Sequence, residues 1–316
     1  MKIATEIKET LKEAGSTTLI LFKILIPVSI IVKILAELGA IEVLGEMLTP
    51  AMGVVSLPGE FGLVWATAML TNIYGSFVVL FTLSTQNTYT VAQVTILGVM
   101  ILLAHALPIE ARIAQKAGVR LWFTLSLRIL GAITLGFILS VIFTTFNLFQ
   151  TESTMIWRPG VVDPTITQWI LDQLKYYIII FLIILGLVAL MRALKKSGLI
   201  NKLNDLQGPT LRILGINKNA APILVIGLTL GLAYGGGLII KEAKSKILDK
   251  KEAFLSISLM GLSHSLIEDT LLILSIGAAL SGIMLGRLVF TFIVIFILVR
   301  IIKRLPKKKF EKYFVN

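Results

Sequence analysis

His105-Ala106-Leu107-Pro108-Ile109-Glu110 and His264-Ser265-Leu266-Ile267-Glu268-Asp269 begin 159 residues apart and contain the only two histidines of a 316-residue chain. The same shift carries Lys33 onto Arg192, Gly39 onto Gly198, Leu44 onto Leu203, Pro50 onto Pro209, Gly118 onto Gly277 and Arg128 onto Arg287. Apolar sequence aligns leucines by chance, but not histidines, arginines, glycines and prolines in one register. The Tyr74-Gly75 and Tyr234-Gly235 pairs need one residue more, a local slip. The chain is therefore a duplication, and each half is read as a copy of the other.

Lipid is the solvent for both copies. The composition is 56% hydrophobic and 15% charged, with a mean hydropathy of +0.90, whereas a soluble domain carries roughly a quarter charged residues. Several apolar runs reach the ~20 residues that cross a hydrocarbon core. Disordered, fibrous and soluble-enzyme readings are excluded on this ground. The absence of cysteine removes disulfides, thiolate metal sites and cysteine nucleophiles. In the first copy the apolar runs are 17–38, an amphipathic 41–55, 61–84 interrupted at Asn72-Ile73-Tyr74-Gly75, 91–109 and 121–148. In the second they are 176–191, 221–240 interrupted at Tyr234-Gly235-Gly236-Gly237, 253–276 and 284–302. Residues 1–16 alternate Lys and Glu at helical spacing and read as an amphipathic helix, not as a cleavable signal.

Charge sets the expected topology. Segments 111–120, 192–218, 241–252 and 300–316 hold 21 of the 30 Lys and Arg residues, and short basic loops stay cytoplasmic. The loops on both sides of 221–240 are basic, and those on both sides of 61–84 are not. Each interrupted run is therefore expected to be a re-entrant hairpin that enters and leaves on one side. Three spans per copy follow, and an odd number inverts the second copy relative to the first. The expected fold is an all-α polytopic membrane protein of two inverted repeats, each with about three spans plus a re-entrant helical hairpin. The divisions are an N-terminal helix at 1–16, a first repeat at 17–148, an extracytoplasmic linker at 149–164, a second repeat at 165–302 and a basic cytoplasmic tail at 303–316. The chain is expected in the cytoplasmic (inner) membrane of a prokaryote, multi-pass, with both termini cytoplasmic.

Ionisable residues inside apolar runs are costly and mark function by default. His105, Glu110, His264, Glu268 and Asp269 are candidates for proton coupling or substrate binding. His264 and Glu268 stand four apart, on one face of a continuous helix. Arg128 and Arg287 are expected to neutralise the carboxylates or to bind an anionic substrate. Asn72, Tyr74 and Tyr234 sit at the interruptions, where freed backbone groups can meet a solute. Two histidines plus carboxylates also suit a divalent metal, and under that reading His105, His264 and Glu268 are the ligands. No Walker A sequence, Gly-x-Ser-x-Gly elbow or His-Glu-x-x-His motif occurs, so enzyme catalysis is not expected.

The run from Leu38 to Gly45, then Leu48-Thr49-Pro50, Leu57-Pro58-Gly59-Glu60 and Leu70-Thr71-Asn72-Ile73-Tyr74-Gly75, resembles the nucleoside-recognition (Gate) domain family. Leu203, Gly208-Pro209 and Ala233-Tyr234-Gly235-Gly236 look like a diverged second copy of it. The resemblance implies paired hairpins and membrane transport. The leading expectation is a secondary transporter of a small polar solute, nucleoside-like or an organic anion. It would work by alternating access and be coupled to protons or another ion such as sodium, with no cofactor. A divalent-metal permease and a non-transporting structural or regulatory membrane protein are the alternatives. The expected partners are the lipid bilayer and the small-molecule or ion substrate. Homo-oligomerisation is compatible with the chain, and nucleic acid is not expected.

Overall fold

The computed structural model describes residues 2–38, 40–84, 87–155, 166–198, 240 and 249–315. Residues 221–239 of the interrupted run, with Tyr234, and most of the two basic loops beside it lie outside the described residues. Among the described residues there is no β-strand, only isolated bridges at Thr90–Glu152 and Val119–Val315.

The first copy opens with α1 (Lys2–Glu37), α2 (Ala40–Gly53), α3 (Phe61–Leu70) and α4 (Ile73–Leu83). No break separates 1–16 from 17–38: α1 runs through Gly15 and Ser16, and Thr18 Oγ1 donates back to the Ala14 carbonyl at 2.7 Å. A single helical glycine costs about 1 kcal/mol, too little to end a helix that continues on both sides. α2 runs three residues past Pro50 before it ends at Gly53. The interruption expected in 61–84 is the Thr71–Asn72 break between α3 and α4. Asn72 Oδ1 accepts from the Gly75 N–H at 2.9 Å and so caps α4.

α5 (Val91–Leu103), α6 (Leu107–Lys116) and α7 (Leu121–Thr145) complete the first copy. After α8 (Ile166–Lys196), the matching part of the second copy is α9 (Lys250–Ser263), α10 (Glu268–Ser275), a π-helical turn at Ser281–Gly286 and α11 (Arg287–Arg304). A short α12 (Lys307–Phe314) follows. Local detail recurs in the 159-residue register. α5 begins with a capping box of Thr90 and Gln93, and α9 with one of Asp249 and Glu252, in the 159-residue register. Each box satisfies two otherwise orphaned donors, which explains why both helices start at equivalent residues.

Five stretches are long and apolar enough to cross a membrane: Val91–Lys116, Leu121–Thr145, Ile166–Leu190, Lys250–Ser275 and Ser281–Arg304. The two central ones, containing α5 and α9, are buried for most of their length, whereas Leu121–Thr145 and Ser281–Arg304 leave apolar faces open. α5 packs on α7, α9 on α11, and each also meets the other copy, α9 against α7 and α5 against the π-helical turn. The approach across copies is close. A Cβ on Gly98 of α5 would stand 2.5 Å from Ile273 Cγ2 of α10, so only glycine fits there.

α1 and α8, equivalent in the duplication, lie side by side and antiparallel. Ser29 Oγ is 2.7 Å from Tyr177 Oη, and Arg192 at the far end of α8 reaches Glu9 and Glu13 of α1. The tail is pinned by aromatic contacts among Phe123, Phe254, Phe310 and Phe314, and the Arg120 N–H donates to the Phe314 carbonyl.

Candidate functional site

Both central helices stop short. α5 ends at Leu103 and the chain resumes helix at Leu107; α9 ends at Ser263 and resumes at Glu268. At equivalent points in the two gaps, Ala106 and Ser265 both adopt the left-handed region at φ 47°. Non-glycine residues there carry strain of order 1–3 kcal/mol and persist only when surrounding structure demands them. Pro108 opens α6 within its first turn, where its missing N–H is harmless. The gap in the first copy is held to α3 by the Ala106 N–H, which donates to the Ala68 carbonyl at 2.9 Å.

A broken helix strands carbonyls that have no i+4 donor. The two arginines take them. Arg128 Nε, from α7, donates to the Leu103 carbonyl at 2.7 Å, and Arg287 Nε, from α11, donates to the Leu262 carbonyl at 2.8 Å. Arg287 Nη2 also donates to the His264 carbonyl at 2.9 Å and, across the copies, to the Leu102 carbonyl at 3.2 Å. Each guanidinium thus places positive charge at the negative end of a helix dipole. Both arginine side chains are fully buried. Snorkelling to the membrane surface does not describe either.

The histidines sit in the gaps and face each other. His105 Nδ1 lies 2.9 Å from the Ile101 carbonyl and His264 Nδ1 lies 3.0 Å from the Met260 carbonyl. A carbonyl oxygen can only accept, so each Nδ1 carries a hydrogen and each ring turns its Nε2 toward the other. The two Nε2 atoms are 3.2 Å apart. Glu110 Oε1 stands 3.6 Å from His105 Nε2 and 3.3 Å from His264 Nε2, and Asp269 Oδ2 stands 3.7 and 4.0 Å from the same atoms. The carboxylates differ in their other contacts. Glu110 Oε2 accepts from Arg128 Nη1 in an ion pair, whereas Asp269 Oδ2 and Arg287 Nη1 have no hydrogen-bond partner.

Of the candidates read from sequence, six converge: His105, Glu110, Arg128, His264, Asp269 and Arg287, none more than 7% exposed. The expectation that His264 and Glu268 share a helical face is corrected. His264 is the extended cap of α9, at φ −69° and ψ 165°, and the helix that would have aligned it with Glu268 ends there. Asp269 takes the place beside the histidines, and Glu268 is half-buried at the start of α10. Among the described residues, His105, His264 and Asp269 have donor atoms close enough to share a metal ion, with Asp269 standing where Glu268 was expected. Asn72 is occupied in capping α4, and Tyr74 is buried in the first turn of that helix. Tyr234 lies outside the described residues. The carbonyls of Leu102, Leu103 and Leu262 were not among the candidates, since a backbone acceptor leaves no trace in residue type.

The chain is 28% identical over 279 residues to the uncharacterized membrane protein YvoD of Bacillus subtilis (strain 168), with 86% of each chain covered. No family model matches the chain, and no solved structure does. The relative and the apolar helices agree on a helical membrane protein seated in a lipid bilayer.

Proposed function

We propose that this protein is a secondary transporter that moves a small polar solute across the cytoplasmic membrane by alternating access between two inverted repeats. One observation carries the reading: six buried ionisable side chains, three from each copy, meet where the two central helices break. Charge at membrane depth is expensive and is retained where a pathway or binding site needs it. Broken helices that meet across a repeat axis are the geometry in which secondary transporters hold their cargo. The antiparallel pairing of α1 with α8 supports inversion, because equivalent helices point in opposite directions when one copy is turned over. With α1 counted alongside the five apolar stretches, three spans fall in each copy; an even total puts both termini on one side, and the basic segments favour the cytoplasmic one. The resemblance to the Gate family supports the same class of activity, and the relative's printed name leaves its activity open.

The test is flux through purified protein in liposomes, with a panel of nucleosides, organic anions and divalent cations outside and a pH-sensitive dye inside. Wild-type protein is expected to take up one class saturably. His105→Gln with His264→Gln is expected to abolish that uptake while the protein stays monodisperse and helical. Full uptake by the double variant would sink the assignment. A folded wild type that moves and binds nothing would instead favour a structural role, with the Arg128–Glu110 pair acting as a clamp.

A further inference from the structure

We infer that His105 Nε2, His264 Nε2 and Asp269 Oδ2, with Glu110 Oε1 as a fourth donor, bind a divalent transition-metal ion between the two copies. This deepens the transport reading by naming the substrate class, and it rests on that reading only for the ion's role as cargo. Binding stands or falls alone.

Both rings are fixed by their Nδ1 hydrogen bonds, with the two Nε2 atoms 3.2 Å apart. Each Nε2, when it carries no hydrogen, offers a lone pair to a cation placed between them. Donation of the far ring N–H to a carbonyl is also how metal-ligating histidines are commonly oriented.

Distances agree with an ion of a particular size. A triangle with edges of 3.2, 3.7 and 4.0 Å, those joining the two Nε2 atoms and Asp269 Oδ2, has a circumradius of about 2.1 Å, which is the Zn–N and Zn–O length of about 2.0–2.2 Å. Glu110 Oε1 stands beside the same nitrogens, at 3.6 and 3.3 Å. Asp269 Oδ2 is the independent sign of a ligand. It is a buried carboxylate oxygen without a hydrogen-bond partner, aimed at the two imidazoles.

Donor chemistry narrows the ion. Imidazole with carboxylate suits Zn2+, Fe2+, Mn2+ and Co2+; Mg2+ and Ca2+ want oxygen throughout, and Cu+ wants sulfur. Charge sets the strength. Glu110 and Asp269 are offset by Arg128 and Arg287, so a doubly charged ion leaves the cluster positive, relieved in part by nearby Glu268. A site that binds but does not hold too tightly is what passage requires.

The experiment is cobalt titration of the purified full-length protein after chelator treatment. One Co2+ per chain is expected, with the intense visible bands of a low-symmetry, four- or five-coordinate ion, displaced by Zn2+ and not by Mg2+. His264→Gln and Asp269→Asn are each expected to weaken binding at least about tenfold, since even outer-shell changes cost 10- to 100-fold. Glu152→Gln, at an exposed residue far along the chain, serves as a control and should bind as wild type. X-ray absorption of the wild-type cobalt complex should show scattering from two imidazoles, and this decides the matter if a variant does not fold. Wild-type protein that binds no Co2+ and no Zn2+, cobalt without imidazole scattering, or unchanged binding in the folded variants would overturn the inference. Liposome flux separates the two proposals: binding without uptake removes transport and leaves the site, whereas uptake of a nucleoside or organic anion without metal binding removes the site and leaves transport.

Discussion

Arg128 answers two demands with one side chain. Its Nε satisfies a carbonyl that the end of α5 leaves open, and its Nη1 pairs with Glu110. An unsatisfied backbone group in the hydrocarbon region costs several kcal/mol, so the first contact is as structural as the second is electrostatic. Removing one partner of a buried pair leaves the other charge uncompensated, at about 3–5 kcal/mol. Glu110→Gln is therefore expected to lower unfolding free energy by about that amount in detergent-micelle denaturation. Adding Arg128→Met should restore part of the loss. The restoration should be partial because the Leu103 carbonyl then loses its donor. A double variant no better than Glu110→Gln alone would show that the two charges are not coupled.

The helical elements owe their limits to local chemistry that recurs in each copy. Thr90 with Gln93 starts α5, and Asp249 with Glu252 starts α9. Replacing a capping side chain by alanine costs about 1 kcal/mol. Thr90→Ala and Asp249→Ala should each lower stability by about 1 kcal/mol, and the two losses should add, because the boxes stand apart and share no partner. Unfolding of the single and double variants measures both amounts. A much larger loss at one cap would mean that the copies do not bear load equally. At the other ends of these helices the left-handed Ala106 and Ser265 turn the chain and point the two histidine rings at one another.

Topology belongs to the molecule as a whole. In an inverted repeat of three spans each, the connection near Glu152 lies on the face opposite both termini. A parallel duplication of four crossings each puts it on the same face. The chain contains no cysteine, so single introduced cysteines report without background. Glu152 and Lys312 are exposed. In intact cells, Glu152→Cys is expected to react with a membrane-impermeant maleimide, and Lys312→Cys only after permeabilisation. Equal protection of the two would reject inversion.

Much of this was legible in the residues. Composition named lipid as the solvent, because 15% charge cannot cover a water-facing surface of this size. The 159-residue register pointed to a duplication, and the cost of charge in lipid picked out His105, Glu110, Arg128, His264, Glu268, Asp269 and Arg287 from sequence alone. Helical periodicity then failed at a single place. It paired His264 with Glu268 on the premise of an unbroken helix, and α9 ends one residue before that histidine. The turn through Ser265 moved the neighbouring carboxylate, Asp269, to the rings instead. The carbonyl partners of the arginines were equally hidden, since a carbonyl is present at every residue and only the end of a helix leaves one free. Residue type dictates what a buried group needs; the path of the backbone dictates which neighbour supplies it.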